Sequence, residues 1–345
     1  MGKRAKVLKV VLDSYGSFLG MERGCFVVRD KDKKEKKYPL FESEIGEFRL
    51  HSGNWVSVGA LNGIVFWEIP CVLLTGRGRP IGIVRSLEDS SHVSTRIAQY
   101  KSTEDGKLPA IAKQFVLSKL EGQNQVLSKY GLKRLDYSHF ERVRKLEESD
   151  IRASRVKLTN IESVCSRNYF NQIFNMFYEF LRPKGRKGFK AFDKLNNILN
   201  LGYELLYWRV QIALLRAKLE PFLGYLHSPA WGKPSLVCDF VELYRFLIDD
   251  FVLEHSKSLE PRDFILKAED FSSNRKGKRE YLNGLKTRDF MKKLDAYFLS
   301  EVKIPRYRMG TKQELETLIS EEAMLFAKYL RDEKPTWQPR IVELS

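Results

Sequence analysis

The stretch Leu236-Val-Cys-Asp239-Phe-Val-Glu242-Leu-Tyr-Arg245 places two carboxylates three residues apart within an apolar run. In a helix this spacing puts both side chains on one face, a single turn apart. Acidic residues at this spacing usually belong to a solvated face. Here the valine, cysteine and phenylalanine residues that flank Asp239 predict a substantially buried helix, and a buried carboxylate requires a partner or a metal ion.

Two further candidates for the same site lie elsewhere in the chain. His227 ends the segment Gly224-Tyr-Leu-His227, twelve residues before Asp239, and Glu162 lies far upstream, directly after Ile161. Oxygen ligands with one imidazole suit a hard divalent cation such as Mg²⁺ or Mn²⁺. A lone histidine is more often a hydrogen-bonded structural residue than a ligand, so spacing alone leaves that alternative open.

The charge balance indicates the class of partner. The chain has 345 residues, with 60 Lys and Arg against 44 Asp and Glu, for a formal net charge of +16. This excess favours a polyanion, either nucleic acid or an acidic membrane surface. With the carboxylates and the histidine, it predicts metal-assisted chemistry on a phosphodiester. A chain of this length is expected to form two domains.

The compartment is predicted from what the sequence lacks. No apolar run approaches the length needed to cross a bilayer, and the first residues, Met-Gly-Lys-Arg-Ala-Lys, have no apolar signal-peptide region. We therefore expect a soluble cytoplasmic protein. Its four cysteines form no C-x-x-C pair, so they predict reduced core thiols and neither a zinc site nor a disulfide framework.

The hydrophobic pattern predicts an α+β fold, with a β-rich N-terminal domain at residues 1–88 followed by an all-helical domain at residues 89–345. Short β-prone runs separated by glycines predict strands up to about residue 85, with a charged hairpin tip at 31–37 and a short helix at 60–67. Apolar spacing of three to four residues then predicts helices at 93–100, 110–130, 140–147, 161–181, 192–216, 236–255, 289–299 and 314–331. The segment Trp337-Gln-Pro339 is predicted to be a tail.

Two basic segments interrupt the predicted helices. Their basic residues are Arg182, Lys184, Arg186, Lys187 and Lys190 in the first, and Arg275, Lys276, Lys278 and Arg279 in the second. Both are predicted to be glycine-containing loops, which in most proteins are simply solvated. Because the first follows the helix that carries Glu162, we expect it to hold DNA phosphates beside the metal, together with Arg245. Few of these residues suit the reading of base edges, which predicts sequence-tolerant binding.

Several longer stretches together are typical of one family. They are Leu12-Asp-Ser-Tyr-Gly-Ser-Phe-Leu19, Arg96-Ile-Ala-Gln99, Lys119-Leu-Glu-Gly-Gln-Asn-Gln-Val-Leu127, Leu195-Asn-Asn-Ile-Leu-Asn-Leu-Gly-Tyr203-Glu-Leu-Leu206, Leu219-Glu-Pro-Phe-Leu-Gly-Tyr-Leu-His227 and Ser235 to Arg245. In this order the chain resembles, over nearly its whole length, the CRISPR adaptation integrase, the spacer-acquisition endonuclease of prokaryotic CRISPR systems.

The resemblance implies roles for individual residues. Glu162, His227 and Glu242 match the metal ligands of the family, and Asp239 matches the adjacent acidic residue that supports or shares the metal. Residues close to that site are matched by Asn196 and Tyr203. Two positions depart from the family pattern, since Ser163 and Asn197 stand where the family commonly has glycine and alanine. Neither departure removes a ligand.

The resemblance also implies the activity and the partners. The expected activity is that of a DNA endonuclease and integrase dependent on Mg²⁺ or Mn²⁺. It inserts short DNA fragments into a CRISPR array by attack of a 3′-hydroxyl on a phosphodiester. The expected partners are donor DNA, the CRISPR repeat, a second copy of the chain bound through the β-rich domain, and a small ferredoxin-like adaptation subunit.

Three other interpretations fit parts of the sequence. A transposon-type integrase of the same fold typically adds a C-terminal DNA-binding module, and the chain ends soon after Trp337. A non-catalytic DNA-binding scaffold is disfavoured because all four candidate positions carry their acidic residue or histidine. A membrane-surface protein is expected to carry a basic amphipathic helix, whereas the basic clusters here are predicted to lie in loops.

Overall fold

The computed structural model describes residues 8–41, 43–76, 78–86, 92–146, 151–188, 191–272, 275–303 and 312–344. The chain divides into two compact units, Met1–His92 and Val93–Ser345. The first is rich in strands and the second in helices, which confirms the predicted α+β order. Among the described residues, no helix combines the length and the apolar character that crossing a membrane requires.

Within the described residues, the first unit contains two four-stranded sheets and one helix. Its elements are β1 (Leu8–Leu12), β2 (Phe18–Glu22), β3 (Cys25–Arg29), β4 (Glu35–Pro39), β5 (Ile45–His51), β6 (Trp55–Val56), α1 (Val58–Phe66), β7 (Cys71–Leu74) and β8 (Pro80–Val84). The strand orders are β1-β5-β7-β8 and β4-β3-β2-β6. In the first sheet β1, β5 and β7 are parallel, and in the second β2, β3 and β4 are antiparallel.

One apolar core is common to both sheets of this unit. Phe26 of β3 and Phe48 of β5 are fully buried, with ring centroids 4.8 Å apart, and Ile64 of α1 packs into the same cluster. The turn between β2 and β3 requires two residues with positive φ, and Arg23 at 47° and Gly24 at 76° supply them. This two-residue connection matches the twist of the paired strands.

The second unit is built from helices, with two small pairs of strands. Its elements are α2 (His92–Lys101), α3 (Lys107–Lys129), α4 (Tyr137–Arg144), α5 (Ile151–Ile173), α6 (Lys194–Arg216), α7 (Ser235–Glu242), α8 (Arg245–Ser256), β9 (Phe264–Ser272), β10 (Arg275–Leu282), α9 (Gly284–Phe298), β11 (Glu301–Lys303), β12 (Lys312–Glu314) and α10 (Leu315–Leu330). Short 3₁₀ turns occupy Phe174–Met176, Glu179–Leu181 and Pro261–Asp263.

Helix α3 lies in the core of this unit, and a glycine lets α8 approach it closely. A Cβ atom at Gly122 would lie 2.3 Å from the Phe246 ring. Phe115, on the buried face of the same helix, packs against Phe240 of α7 and Phe326 of α10, with centroids 5.4 and 6.4 Å away. These contacts bring α3, α7 and α8 together, and these helices carry most of the candidate site.

Three predictions about this unit are corrected by the structure. The basic segment Arg275–Arg279 lies in strand β10, which pairs antiparallel with β9, so the unit is not entirely helical. Residues 236–255 form two helices, because the backbone tightens at Leu243 and Tyr244 with i to i−3 hydrogen bonds and no proline or glycine marks the break. Trp337 is not in a tail, since it is 6% exposed and packs 4.6 Å from the Phe326 ring.

Candidate active site

Two of the predicted carboxylates meet at a lysine. Lys119 lies on the buried side of α3, between Val116 and Gln123, and its side chain is 11% exposed. Its ammonium group donates a hydrogen bond to Glu162 Oε1 of α5 and lies 2.6 Å from Glu242 Oε2 of α7. Three helices therefore converge on one ammonium group, and the two glutamates are neighbours because both of them contact it.

Glu242 is held as a carboxylate by two cations. Arg245, the first residue of α8, donates from its guanidinium to Glu242 Oε1 over 2.7 Å. Burial raises the pKa of Glu242, but the charges of Arg245 and Lys119 outweigh it and lower this pKa to about 2. The ion pair with Arg245 spans the break between α7 and α8. Its position explains how a helix that ends after Glu242 still fixes that side chain.

Glu162 is held by hydrogen bonds from its own helix and from α3. Ser166, one turn further along α5, donates its hydroxyl to Glu162 Oε1 over 2.9 Å. Gln123 in turn donates its amide to Ser166 Oγ over 3.1 Å. Glu162 is 19% exposed, compared with 7% for Glu242, so it is the more accessible of the two carboxylates.

Asp239 and His227 form a second pair, in which Asp239 is fully buried. Asp239 Oδ1 lies 2.7 Å from His227 Nδ1 and also accepts the backbone N–H of His227 over 2.9 Å. Its Oδ2 accepts the backbone N–H groups of Tyr225 and Leu226 over 2.6 and 3.0 Å. Because a carboxylate can only accept hydrogen bonds, Nδ1 of the histidine is the donor, and in the neutral imidazole Nε2 carries the free lone pair.

The loop before His227 is fastened from several sides. Gln99 is fully buried and makes two hydrogen bonds with the backbone of Glu220. Its side-chain NH₂ donates to the Glu220 carbonyl oxygen over 3.0 Å, and its side-chain oxygen accepts the Glu220 N–H over 2.7 Å. Arg155 of α5 donates to the carbonyl oxygens of Tyr225 and Gly224. A Cβ at Gly224 would lie 2.6 Å from the carbonyl oxygen of His227, which explains the glycine.

A cavity of about 530 Å³ opens beside Glu162 and Glu242. Basic side chains lie all around it. Those among its lining residues are Lys119, Arg167, Lys184, Arg186 and Arg245. The acidic residues in the lining are Glu162, Glu242 and Asp249. The walls therefore carry more positive than negative side chains, which suits an anionic ligand such as a phosphate group.

Tyr203 is packed between two of these arginines. The guanidinium carbons of Arg245 and Arg186 lie 4.2 and 5.1 Å from its ring centroid. Its hydroxyl donates to Asp249 Oδ1, and Tyr169 donates to Asp249 Oδ2 over 2.9 Å. Burial raises the pKa of Asp249, although the hydrogen bonds from the two tyrosines act in the opposite direction.

Asn196 shapes the basic loop rather than facing the cavity. It is fully buried, its amide donates to the Gly185 carbonyl over 2.9 Å, and its oxygen accepts from the Arg186 guanidinium and from the Lys187 backbone N–H, each over 2.9 Å. Asn200 accepts from the same guanidinium over 2.7 Å. The position of Arg186 is therefore set by α6.

The predicted DNA-binding residues differ in their placement. Arg182, Lys184 and Lys187 are all exposed, but the guanidinium of Arg182 is engaged, since it donates to the carbonyl oxygens of Phe177 and Asn175. In β10, Lys278 is exposed and Arg279 is only 9% exposed, with its guanidinium 5.8 Å from the Phe192 ring. Lys190 and the side chains of Arg275 and Lys276 lie outside the described residues.

The predicted set of three metal ligands is only partly brought together. Glu162 and Glu242 both contact the ammonium group of Lys119, but His227 is not among the residues that line the cavity. In the part of the chain that the structure describes, no three His, Cys, Asp or Glu side chains are grouped closely enough to hold a metal ion. Two carboxylates already fit a hard divalent cation, which commonly keeps waters and substrate phosphates as its other ligands.

Sequence reasoning missed Lys119 and Asp249 as parts of the site. Each carried a usable signal. Lys119 follows Phe115 and Val116 by one helical turn and so belongs to the apolar face of α3, where a lysine requires counter-charges. Asp249 and Asp250 lie between Phe246-Leu-Ile248 and Phe251-Val-Leu253, and carboxylates within such an apolar segment predict burial in the same way as for Asp239.

Comparisons with known proteins identify relatives of this chain. A family model described as "CRISPR associated protein Cas1" matches residues 10–287. The CRISPR-associated endonuclease Cas1 of Korarchaeum cryptofilum is 27% identical over 275 residues, which cover 74% of this chain and 80% of that protein. An endonuclease Cas1 of Pyrobaculum aerophilum is 26% identical over 262 residues, covering 75% and 86%.

Solved structures share the fold along almost the whole chain. A chain of a partial Cas6-RT-Cas1–Cas2 complex superposes with a TM-score of 0.72 at 18% identity, covering 99% of this chain and all of that one. A casposase bound to its integration product gives 0.67 at 19% identity, covering 96% and 97%. A Cas1 protein from Thermotoga maritima gives 0.66 at 17% identity, covering 93% and 96%. With a family match that extends over most of its length, from the first strand of the β-rich unit to α9, the chain belongs to the Cas1 family of CRISPR-associated proteins.

Proposed function

We propose that this chain is a divalent-metal-dependent DNA endonuclease and integrase. In this reaction the 3′-hydroxyl of a donor DNA attacks a phosphodiester of the target, and one phosphodiester replaces another. With water as the nucleophile, the same site hydrolyses DNA. One observation carries the proposal. Glu162 and Glu242 both contact the ammonium group of Lys119, beside a cavity with basic walls.

Glu162, Glu242 and His227 would hold the divalent cation, Mg²⁺ or Mn²⁺. When bound, the cation supplies Lewis-acid polarisation of the scissile phosphate and stabilises the oxygen that is displaced. Arg245 keeps Glu242 ionised, so the carboxylate remains a ligand across the physiological pH range. Asp239 fixes the histidine through Nδ1 and leaves Nε2 available for the metal. We therefore assign Asp239 a supporting role and not direct ligation.

The walls of the cavity would bind the DNA backbone. Lys184 and Lys187 extend into solvent from the loop that follows α5, where each can pair with a phosphate. Arg186 is anchored by Asn196 and Asn200, so we assign it to holding this loop against α6 beside the cavity. Lys278 of β10 is an exposed candidate for a more distant phosphate. The guanidinium of Arg182 already donates to backbone carbonyl oxygens, and Arg279 is largely buried beside the Phe192 ring.

We also propose that the β-rich unit forms a homodimer and that the helical unit is the catalytic domain. An aromatic patch supports the first part: Phe41, Phe66 and Trp67 are 86%, 77% and 45% exposed, and the Trp67 ring centroid lies 5.7 and 5.2 Å from those of Phe41 and Phe66. Clustered exposed aromatic side chains commonly mark an interface. The resemblance adds a small ferredoxin-like subunit as a further partner, and a protein of similar fold occurs in the Cas6-RT-Cas1–Cas2 complex.

A strand-transfer assay tests the catalytic proposal. A short duplex donor is incubated with a plasmid that carries a CRISPR repeat, with Mg²⁺, with Mn²⁺ or with EDTA. Joining of donor to plasmid should require the metal. It should disappear with a donor that ends in a 2′,3′-dideoxynucleotide and so lacks the 3′-hydroxyl, while hydrolysis of DNA remains. Glu242→Gln and His227→Ala should abolish joining. Glu204→Gln, the same change at an exposed position of α6, is the matched control and should join normally.

The alternatives give different results in the same assay. Full activity in EDTA would contradict metal dependence. Binding of DNA without joining or hydrolysis in either metal would favour a non-catalytic scaffold. Equal joining into plasmids with and without a repeat would favour a transposon-type integrase. Light scattering that gives a monomer mass at micromolar concentration, in low and in high salt, would contradict the proposed homodimer.

A further inference from the structure

The ammonium group of Lys119 occupies the place where a metal ion would have to bind. It is the shared partner of Glu162 and Glu242, which come from different helices. Two carboxylates this close repel one another unless a cation lies between them. The ammonium group of Lys119 supplies such a cation, at the position where the two candidate ligands converge.

The other partners of the two glutamates do not perform this bridging. Arg245 contacts Glu242 through Oε1, and Ser166 contacts Glu162 through Oε1. Both contacts hold a single carboxylate in its own orientation, and neither joins the two. Lys119 alone, among the contacts that the structure describes here, connects Glu162 to Glu242.

We propose that Lys119 is a built-in counter-cation that competes with the divalent metal ion for Glu162 and Glu242 and is displaced into the cavity when the metal binds. The inference rests on the proposed metal site. The competition is electrostatic: a divalent cation and an ammonium group cannot both occupy the space between two carboxylates without strong repulsion.

Displacement would give Lys119 a second role. Its ammonium group lies in a cavity that is also lined by Lys184 and Arg186, so once free of the carboxylates it adds a positive charge for a DNA phosphate. Metal binding and phosphate binding then support each other, because each favours the state in which the lysine has left the glutamates. By linkage, DNA should raise metal affinity by the same factor as metal raises DNA affinity.

Binding of Mn²⁺ alone, followed by electron paramagnetic resonance of the free ion, tests the competition without an activity assay. Lys119→Gln should bind Mn²⁺ at least about tenfold more tightly than the wild type, by analogy with the shift of one or more pKa units that one nearby charge produces. Lys119→Arg keeps the charge and should stay within about threefold of the wild type. Lys184→Gln is the matched control, since it removes one charge from the same cavity wall and touches neither glutamate, and it should also stay within about threefold.

The outcomes separate this inference from the proposed function. If Lys119→Gln binds Mn²⁺ no more tightly than Lys184→Gln, the lysine does not compete and this inference is overturned. Glu162→Gln locates the binding: a clear loss of affinity relative to the wild type places the ion at this pair. If Glu162→Gln binds as the wild type does, the proposed metal site is wrong, and the inference falls with it.

A second measurement uses the wild-type protein and so does not depend on whether Lys119→Gln folds. Lysine amines are acetylated briefly with acetic anhydride, and the modified peptides are quantified by mass spectrometry. Lys119, which is 11% exposed and held by two carboxylates, should be protected in EDTA and should become several-fold more reactive when Mn²⁺ is added. Lys292, exposed on α9, should react equally in both conditions. Unchanged or lower labelling of Lys119 in Mn²⁺ would overturn the inference.

Discussion

Asp239 Oδ1 lies 2.7 Å from His227 Nδ1, and the same buried carboxylate accepts the backbone N–H groups of residues 225 to 227. One side chain therefore fixes the end of the loop, the orientation of the imidazole and the nitrogen that carries its proton. Each oxygen of Asp239 lies within hydrogen-bond distance of two of these four donors, which supports the proposal that Asp239 positions the histidine and that Glu242 binds the metal ion. The two acidic residues of α7 thus differ in what they can do.

Asp239→Asn should weaken both stability and activity. An amide has one acceptor oxygen in place of two, and its NH₂ group would face N–H donors, so we expect a loss of about 2–4 kcal/mol of unfolding free energy. The imidazole also loses its charged partner. Strand transfer should therefore need more metal and should be partly restored by Mn²⁺. Urea denaturation and a metal titration of strand transfer measure the two effects.

Glu242→Gln and Asp136→Asn provide the comparison for this prediction. Glu242→Gln removes a proposed ligand and should not be restored by Mn²⁺ at any concentration. Asp136→Asn makes the same change at an exposed helix N-cap, where asparagine is equally suitable, and should leave both measurements unchanged. Rescue of Glu242→Gln together with an Asp239→Asn protein that is inactive at every metal concentration would mean that the two roles are reversed.

Much about Asp239 and Glu242 could be predicted from sequence. The apolar residues around Asp239 predict its burial, and the structure confirms it at 0% exposure. The spacing also places Asp239 and Glu242 on one helix. Spacing within a helix cannot tell which partners a side chain meets, because those come from distant parts of the chain. Lys119 precedes Glu162 by 43 residues and contacts it only because α3 and α5 pack together.

The errors in the predicted fold have the same origin. The break after Glu242 carries no proline or glycine, and it lies at a buried residue, Tyr244, so no local sequence signal marks it. The segment Arg275–Arg279 has charges in place of apolar alternation, so its pairing with β9 leaves no periodic signal. Trp337 follows a polar, proline-containing stretch that suggests a tail, and only its contacts with α3, α7 and α10 show otherwise.

The pH dependence of stability should include a contribution from Asp249. Burial raises its pKa above the ordinary value of 3.8. The folded state therefore holds this proton more tightly than the unfolded state, and its stabilising effect is complete below pH 3.8 and lost as the pH rises through the folded pKa. Asp249→Asn, which cannot ionise, should gain stability relative to the wild type as the pH rises from about 3 to about 7.

Denaturation by urea in EDTA at several pH values checks this prediction. Tyr203→Phe removes a hydrogen bond that favours the carboxylate, so it should lower stability near neutral pH more than in acid. A difference between Asp249→Asn and the wild type that does not change with pH would show that Asp249 has no raised pKa.

The C-terminal segment should contribute measurably to the helical core. Trp337 donates its indole N–H to the fully buried Glu322 over 2.8 Å and packs against Phe115 and Phe326. Trp337→Ala should cost about 3–5 kcal/mol of unfolding free energy. Trp337→Phe keeps most of the ring contacts and should cost about 1–3 kcal/mol, through the lost hydrogen bond to a buried charge.

Urea denaturation of both variants measures these costs. Trp231 provides the matched control, because it is fully exposed and its replacement by alanine should change stability by less than about 0.5 kcal/mol. If Trp337→Ala were as stable as Trp231→Ala, the segment would not be part of the core.

DNA binding should depend on Lys184 and Lys187 through charge alone. Both are exposed in the loop that follows α5, and Lys184 also lines the cavity. If each neutralises one phosphate, replacing both by glutamine should flatten the log–log dependence of affinity on salt by about 1.8, because each phosphate contributes about 0.9. Arg186 is excluded from this variant because Asn196 and Asn200 hold its guanidinium, so its loss would disturb the loop.

Fluorescence anisotropy of labelled duplex DNA over a range of salt concentrations gives this slope. Lys292→Gln combined with Lys334→Gln removes the same charge at exposed positions of the same unit and is the matched control. These two lysines belong neither to the loop that carries Lys184 and Lys187 nor to the cavity lining, so their loss should leave the slope nearly unchanged. Equal slopes for the two double variants would mean that the loop carrying Lys184 and Lys187 faces away from the DNA.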